Sequence, residues 1–168
     1  MNRLELLKKM FQQRRLGFML DETMTGTHHF VNAAGPDGEH PMSFHVTWGT
    51  RHLASYLRPF QPGFLSSFLE GTVDIGGLVQ GAACRGTLDL RYFSEAKIRY
   101  CFDFKDEAGR PLHYVGEKVD LRPWNLHRTH TTCYGTVTDI RTGQDISRSI
   151  LRFELGSLPA FLASFRLA

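Results

Sequence analysis

The chain has 168 residues and a mass of 19.1 kDa, enough for one domain with a sizeable core, and its 42% hydrophobic and 22% charged content excludes a disordered segment. A formal net charge of +3 is too weak to point to nucleic acid, and no apolar run approaches the ~18 residues of a transmembrane segment. Three scattered cysteines (Cys84, Cys101 and Cys133) without a CxxC pair argue against a disulfide framework, and the charged opening MNRLELLKKMFQQRRLGF lacks a secretory apolar stretch, so a cytoplasmic setting is expected.

Residues 2–15 read as a helix, with Asn2 as its cap and Leu4, Leu7, Met10 and Phe11 at helical spacing. The pattern favours a brace packed on a sheet. A membrane-surface helix is the alternative, and the short apolar face without Trp counts against it. Gly17 then releases a long alternating stretch, Phe18–Val31. Phe18, Leu20, Met24, Gly26 and Phe30 share one face, and Asp21, Thr23, Thr25, Thr27 and His29 the other. Glu22 and His28 interrupt the apolar face, and a carboxylate aimed at a core requires a partner or a raised pKa.

After a turn-rich loop, NAAGPDGEHP, Met42, Phe44, Val46 and Trp48 alternate on a second strand. Residues 50–60 turn helical until Pro59 and Pro62 interrupt them, and Leu69, Val73 and Ile75 mark a third strand. Gly81–Phe93, Ile98–Lys105, Leu112–Leu121, Leu126–Ile140 and Ile146–Leu155 follow as a meander, with turns at Ser94-Glu95, DEAGRP and Arg141-Thr142-Gly143. Ser157 is placed to cap a closing helix over 157–166 bearing Leu158, Phe161, Leu162 and Phe165. The expected fold is all-β: a single lipocalin-like domain over 1–168, a closed antiparallel barrel of about eight strands with helices at both ends.

Eight histidines invite a metal site, but neighbours such as His28 and His29 face apart on a strand, and no HExxH or CxxC spacing occurs, so no metal is expected. There is no GxSxG elbow and no glycine loop that opens a helix around a phosphate. The best candidates are polar groups inside the barrel: Glu22 and His28, Lys118 in the series of Leu112, Tyr114 and Gly116, and His130 with Tyr134 on one face of the Thr-rich strand. Glu22 and Lys118 are expected to pair, because either alone would be costly. The expected lining of a ligand site adds Phe18, Leu20, Met24, Phe44, Trp48, Tyr100, Phe102 and Tyr114. Gly26, Gly86 and Gly116 leave room on the same inward series or mark bends needed for closure.

Several blocks occur in order: ETMTG (Glu22–Gly26), PMSFHVT (Pro41–Thr47), EGTVDIGGL (Glu70–Leu78), RYCFDFKDEAGRPLHYVGEKV (Arg99–Val119), and Trp124 followed by TTCYGTV (Thr131–Val137). This order resembles an accessory segment of bacterial cholesterol-oxidase-like flavoproteins of the glucose-methanol-choline oxidoreductase family. The matching positions are Glu22, Met24, Gly26, Tyr114, Gly116, Lys118, Trp124, Thr132 and Tyr134. Cys133 stands where that pattern has an aliphatic residue, and the segment is expected to stand alone, without a flavin domain. The resemblance implies an accessory role in sterol or lipid oxidation beside a partner flavoprotein, and it transfers no catalytic residue.

The leading expectation is binding of a hydrophobic small molecule, sterol- or fatty-acyl-like, with no cofactor of its own. One alternative is a small isomerase or hydratase using Glu22 or His28 as general base. Another is an interaction module whose barrel is filled by its own aromatics.

Overall fold

A computed structural model describes residues 2–12, 16–121, 131–154 and 157–167. Helix α1 (Arg3–Gln12) leads into nine strands: β1 (Phe18–Phe30), β2 (Glu39–Thr50), β3 (Ser66–Ile75), β4 (Val79–Arg91), β5 (Lys97–Lys105), β6 (Pro111–Lys118), β7 (Thr132–Asp139), β8 (Asp145–Arg152) and the two-residue β9 (Arg166–Leu167). Single-turn helices α2 (Leu53–Tyr56) and α3 (Tyr92–Glu95) join β2 to β3 and β4 to β5, and α4 (Leu158–Ala163) precedes β9. The strands β1–β8 pair with their sequence neighbours, and β8 pairs back onto β1, so the sheet closes into an eight-stranded antiparallel barrel of lipocalin-like type. Closure removes the free edges that long strands would otherwise expose. No helix among the described residues is long and apolar enough to cross a membrane.

The two ends of the barrel differ. At the hairpin end, β3–β4, β5–β6 and β7–β8 turn tightly. In one of these turns Asp106 Oδ1 accepts the Ala108 and Arg110 amides, and Gly109 takes a positive φ. The helical end carries α2, α3, α4 and the approach from α1. Strand β1 is longer than its β8 neighbour, which covers only Thr25–Phe30. The start of β1 instead meets the C-terminal segment. There β9 pairs with Phe18 and Met19, Ser164 Oγ accepts the Asp21 amide, and the Arg166 fork binds the Asp21 carboxylate. This explains why the expected helix over 157–166 stops at Ala163. Ser157 does not cap it with its side chain; the hydroxyl donates to the Glu154 carbonyl.

Aromatic side chains fill the middle of the barrel. Phe44, Tyr100, Phe102 and Tyr114 are all buried, with ring centroids of Phe102 and Tyr114 4.7 Å apart and of Phe44 and Phe102 5.5 Å apart; Met24 is buried in the same core. The glycines do not leave this space open. A Cβ on Gly116 or Gly135 would lie 2.6 or 2.2 Å from the Tyr114 hydroxyl, so the Tyr114 ring occupies the room they provide. A Cβ on Gly26 or Gly86 would lie about 2 Å from a carbonyl oxygen of the neighbouring strand (Ile150 or Cys101), so these two mark close strand approach, the bend reading of the inward glycines.

Candidate functional site

The site is built on one residue of β1 and its surroundings at the helical end. The inward series of β1 carries Glu22 into the interior, where it is 5% exposed, and the inward series of β6 brings Lys118 to it at 4%. Lys118 Nζ donates to Glu22 Oε1 at 2.9 Å. The Tyr100 hydroxyl donates to the same oxygen at 3.0 Å, and Trp48 Nε1–H donates to Oε2 at 2.9 Å. The carboxylate therefore accepts three bonds. The ammonium also lies 5.2 Å from the Tyr100 ring centroid and 5.9 Å from that of Phe153, within cation–π reach. Burial and the Glu22 charge together hold the Tyr100 phenol well above its usual pKa, so it stays a donor.

Aromatic residues cover this cluster. Phe161 of α4 packs edge-on to Phe153 at 5.5 Å and lies 6.5 Å from Trp48, while Phe165 stacks on Phe18 at 6.2 Å. Phe18 also meets Trp48 and Tyr56 edge-on. Leu20, Phe18 and Trp48 are only half-buried here, unlike the mid-barrel rings. None of the α4 side chains is fully buried.

His28 lies toward the hairpin end of the same strand. It is buried, its Nε2–H donates to the Gly76 carbonyl at 2.9 Å, and its ring sits edge-on to Phe30 and 5.7 Å from that of His40. Its Nδ1 has no hydrogen-bond partner among the described residues. Burial lowers its pKa, and His40 and His29 lower it further against the opposing bond to Gly76, so the imidazole is neutral.

The structure thus joins Glu22, Trp48, Tyr100 and Lys118, with Phe18 and Leu20 beside them. It places Met24, Phe44, Phe102 and Tyr114 in the filled middle and sends His28 to the other end. Tyr134 corrects an expectation. It is 54% exposed on the outer wall, cross-strand from Ile150, and Cys133 takes the inward position. His130 and Trp124 lie outside the described residues. The sequence reading missed Phe153 and Phe161 as site residues. Phe153 was visible in principle, since it continues the inward series of Ser147, Ser149 and Leu151 on β8. Among the described residues no cluster of three or more metal-ligating side chains occurs.

The fold and the buried cluster define a class: a lipocalin-like barrel filled at its middle, with a charged pair under an aromatic cover at one end. Comparisons with protein families, with curated proteins and with solved structures find no match to this chain.

Proposed function

We propose that the protein binds a small apolar molecule with one polar end at the helical end of the barrel. The polar end meets the Lys118–Glu22–Tyr100 cluster and the apolar body replaces the cover supplied by α4. The observation that carries this reading is the cluster itself. Two charges are buried where an apolar pair of similar volume would be as stable or more so, and they lie beneath a six-residue helix with no buried side chain. Binding sites are mostly apolar with a few placed polar groups, and that is the composition here. The resemblance to the accessory segment of cholesterol-oxidase-like flavoproteins supports a sterol or fatty-acyl ligand and a glucose-methanol-choline family flavoprotein as its recipient.

General-base chemistry has less support. Both Glu22 oxygens are engaged by three donors, and His28 offers only Nδ1, deep in the wall at the opposite end. The test is a titration with cis-parinaric acid, a fluorescent fatty acid. Saturable binding at one site per chain, weakened at least about tenfold in Lys118→Met by loss of a charge-assisted contact, is expected. Absence of saturable binding would leave the filled aromatic barrel as an interaction module.

A further inference from the structure

Large apolar side chains are exposed unevenly. Among the described residues only Tyr134, Ile140 and Ile150 lie away from segments serving the helical end; the others are on α1, the α2–β3 connection, α3 and the stretch from α4 through β9. Two of them protrude furthest, Phe60 at 99% exposure and Phe93 at 87%. Phe60 also adopts φ +63°, a left-handed conformation that is costly for a bulky residue. Pro59 and Pro62 flank it and restrict the tip to few conformations. Strain and solvent exposure therefore fall on the same ring, which a rigid loop holds away from the barrel.

The charges beside these rings are basic. The connection that carries Phe60 (residues 51–65) holds the exposed Arg51 and Arg58 and no acidic residue, and Glu95 beside Phe93 is held by Arg91 and Lys97, while the exposed Glu5, Asp120 and Glu154 lie on other segments of this end. We propose that the helical rim is a docking surface for an anionic lipid membrane, with Phe60 and Phe93 inserting between headgroups and Arg51 and Arg58 meeting lipid phosphates. Separate apolar protrusions on different strand connections, interspersed with cations, match an interface where anchors insert individually. A protein partner would call instead for a contiguous, shape-complementary patch. Docking here would also turn the Glu22–Lys118 end toward the bilayer, although the inference stands on the rim alone and does not require a ligand.

The experiment is co-sedimentation of the full chain with vesicles of mixed phosphatidylglycerol and phosphatidylcholine, and with vesicles of phosphatidylcholine alone. Binding should favour the anionic vesicles and weaken with added salt. The double variant Phe60→Ser/Phe93→Ser should lose at least about tenfold in partitioning, and Arg58→Glu should weaken it as well. Both variants should keep the wild-type circular dichroism spectrum, and Ile140→Ser at the hairpin end should bind as wild type does. Failure of the wild-type chain to bind anionic vesicles overturns the proposal. Binding that survives the double variant overturns it equally. Binding of cis-parinaric acid in solution is read separately, so either proposal can fail while the other stands.

Discussion

Removing one member of the Glu22–Lys118 pair should be among the most damaging single substitutions in this chain. In Lys118→Met the thioether side chain replaces the stem of the lysine, but the Glu22 carboxylate remains buried with only Tyr100 and Trp48 as donors. An uncompensated buried charge of this kind costs about 3–5 kcal/mol, a large share of the ~5–15 kcal/mol that holds a typical domain together. At ~2–4 °C per kcal/mol for a domain of this size, the melting temperature should fall by about 6–20 °C. Glu22→Gln is the sharper probe, because the amide nitrogen must face either Trp48 Nε1–H or the Lys118 ammonium, placing donor against donor. The double variant Glu22→Leu/Lys118→Met removes both charges and should be more stable than either single variant, since it leaves no orphaned ion. Urea denaturation of the wild type, Glu22→Leu, Lys118→Met and the Glu22→Leu/Lys118→Met variant closes a double-mutant cycle. A cost below about 1 kcal/mol for Lys118→Met, the range of exposed pairs, would refute the assignment of a desolvated pair, as would additive behaviour in the cycle.

Two further substitutions test the packing and the titration. Gly135→Ala should destabilise by about 1–3 kcal/mol through overpacking, because its Cβ would fall on the buried Tyr114 ring; replacing Tyr114 by Leu should relieve much of that cost, and unchanged stability in Gly135→Ala would show that the ring moves freely. His28 has a folded-state pKa below its unfolded value of about 6.5. The unfolded chain therefore binds the proton first, and stability contributed by the neutral ring is full above about pH 6.5 and lost as pH falls below it. Urea midpoints measured down through this range should drop in the wild type and drop less in His28→Gln, and parallel profiles would remove His28 as the cause.

The fold was legible where alternation is strict. Ile98, Tyr100, Phe102 and Phe104 repeat at period two with polar residues between them, and all four are buried on β5. The Glu22–Lys118 contact was legible too, because each residue breaks an apolar series and a buried charge demands its opposite. The donors from Trp48 and Tyr100 were not. Both were read as apolar wall, and the direction of an indole N–H or a phenol depends on how distant strands close around it. Strand β7 was misphased for a local reason. Its inward positions are Cys133, Gly135 and Val137, and a glycine at the centre leaves little hydropathy to outweigh the aromatic Tyr134 on the opposite face. The end of α4 depends on the bond from Arg166 to Asp21, a pairing across almost the whole chain that no local periodicity reveals. Residues 50–60 read as a longer helix than the single turn that forms; α2 ends at Tyr56, and Pro59 with the left-handed Phe60 and Leu65 carries the rest of the connection.

Strand β1 holds two buried polar groups, and the two are stabilised in different ways. At the hairpin end His28 is kept neutral and donates one bond to a turn carbonyl, the economical way for a titratable group to sit in a wall. At the helical end the Glu22 carboxyl group receives donors from three other strands: β2 through Trp48, β5 through Tyr100 and β6 through Lys118. A neutral polar pair or an apolar one would satisfy the same volume without desolvating two ions. The charged arrangement also lies at the end roofed by α4 and the segment after it, where Phe161 and Phe165 rest on Phe153, Trp48 and Phe18, and where β9, the Ser164 hydroxyl and the Arg166 fork tie that segment to the start of β1. A desolvated ion pair beneath a short helix with no buried side chain is poor design for stability alone, and it is the feature on which the proposed binding of a ligand's polar end rests.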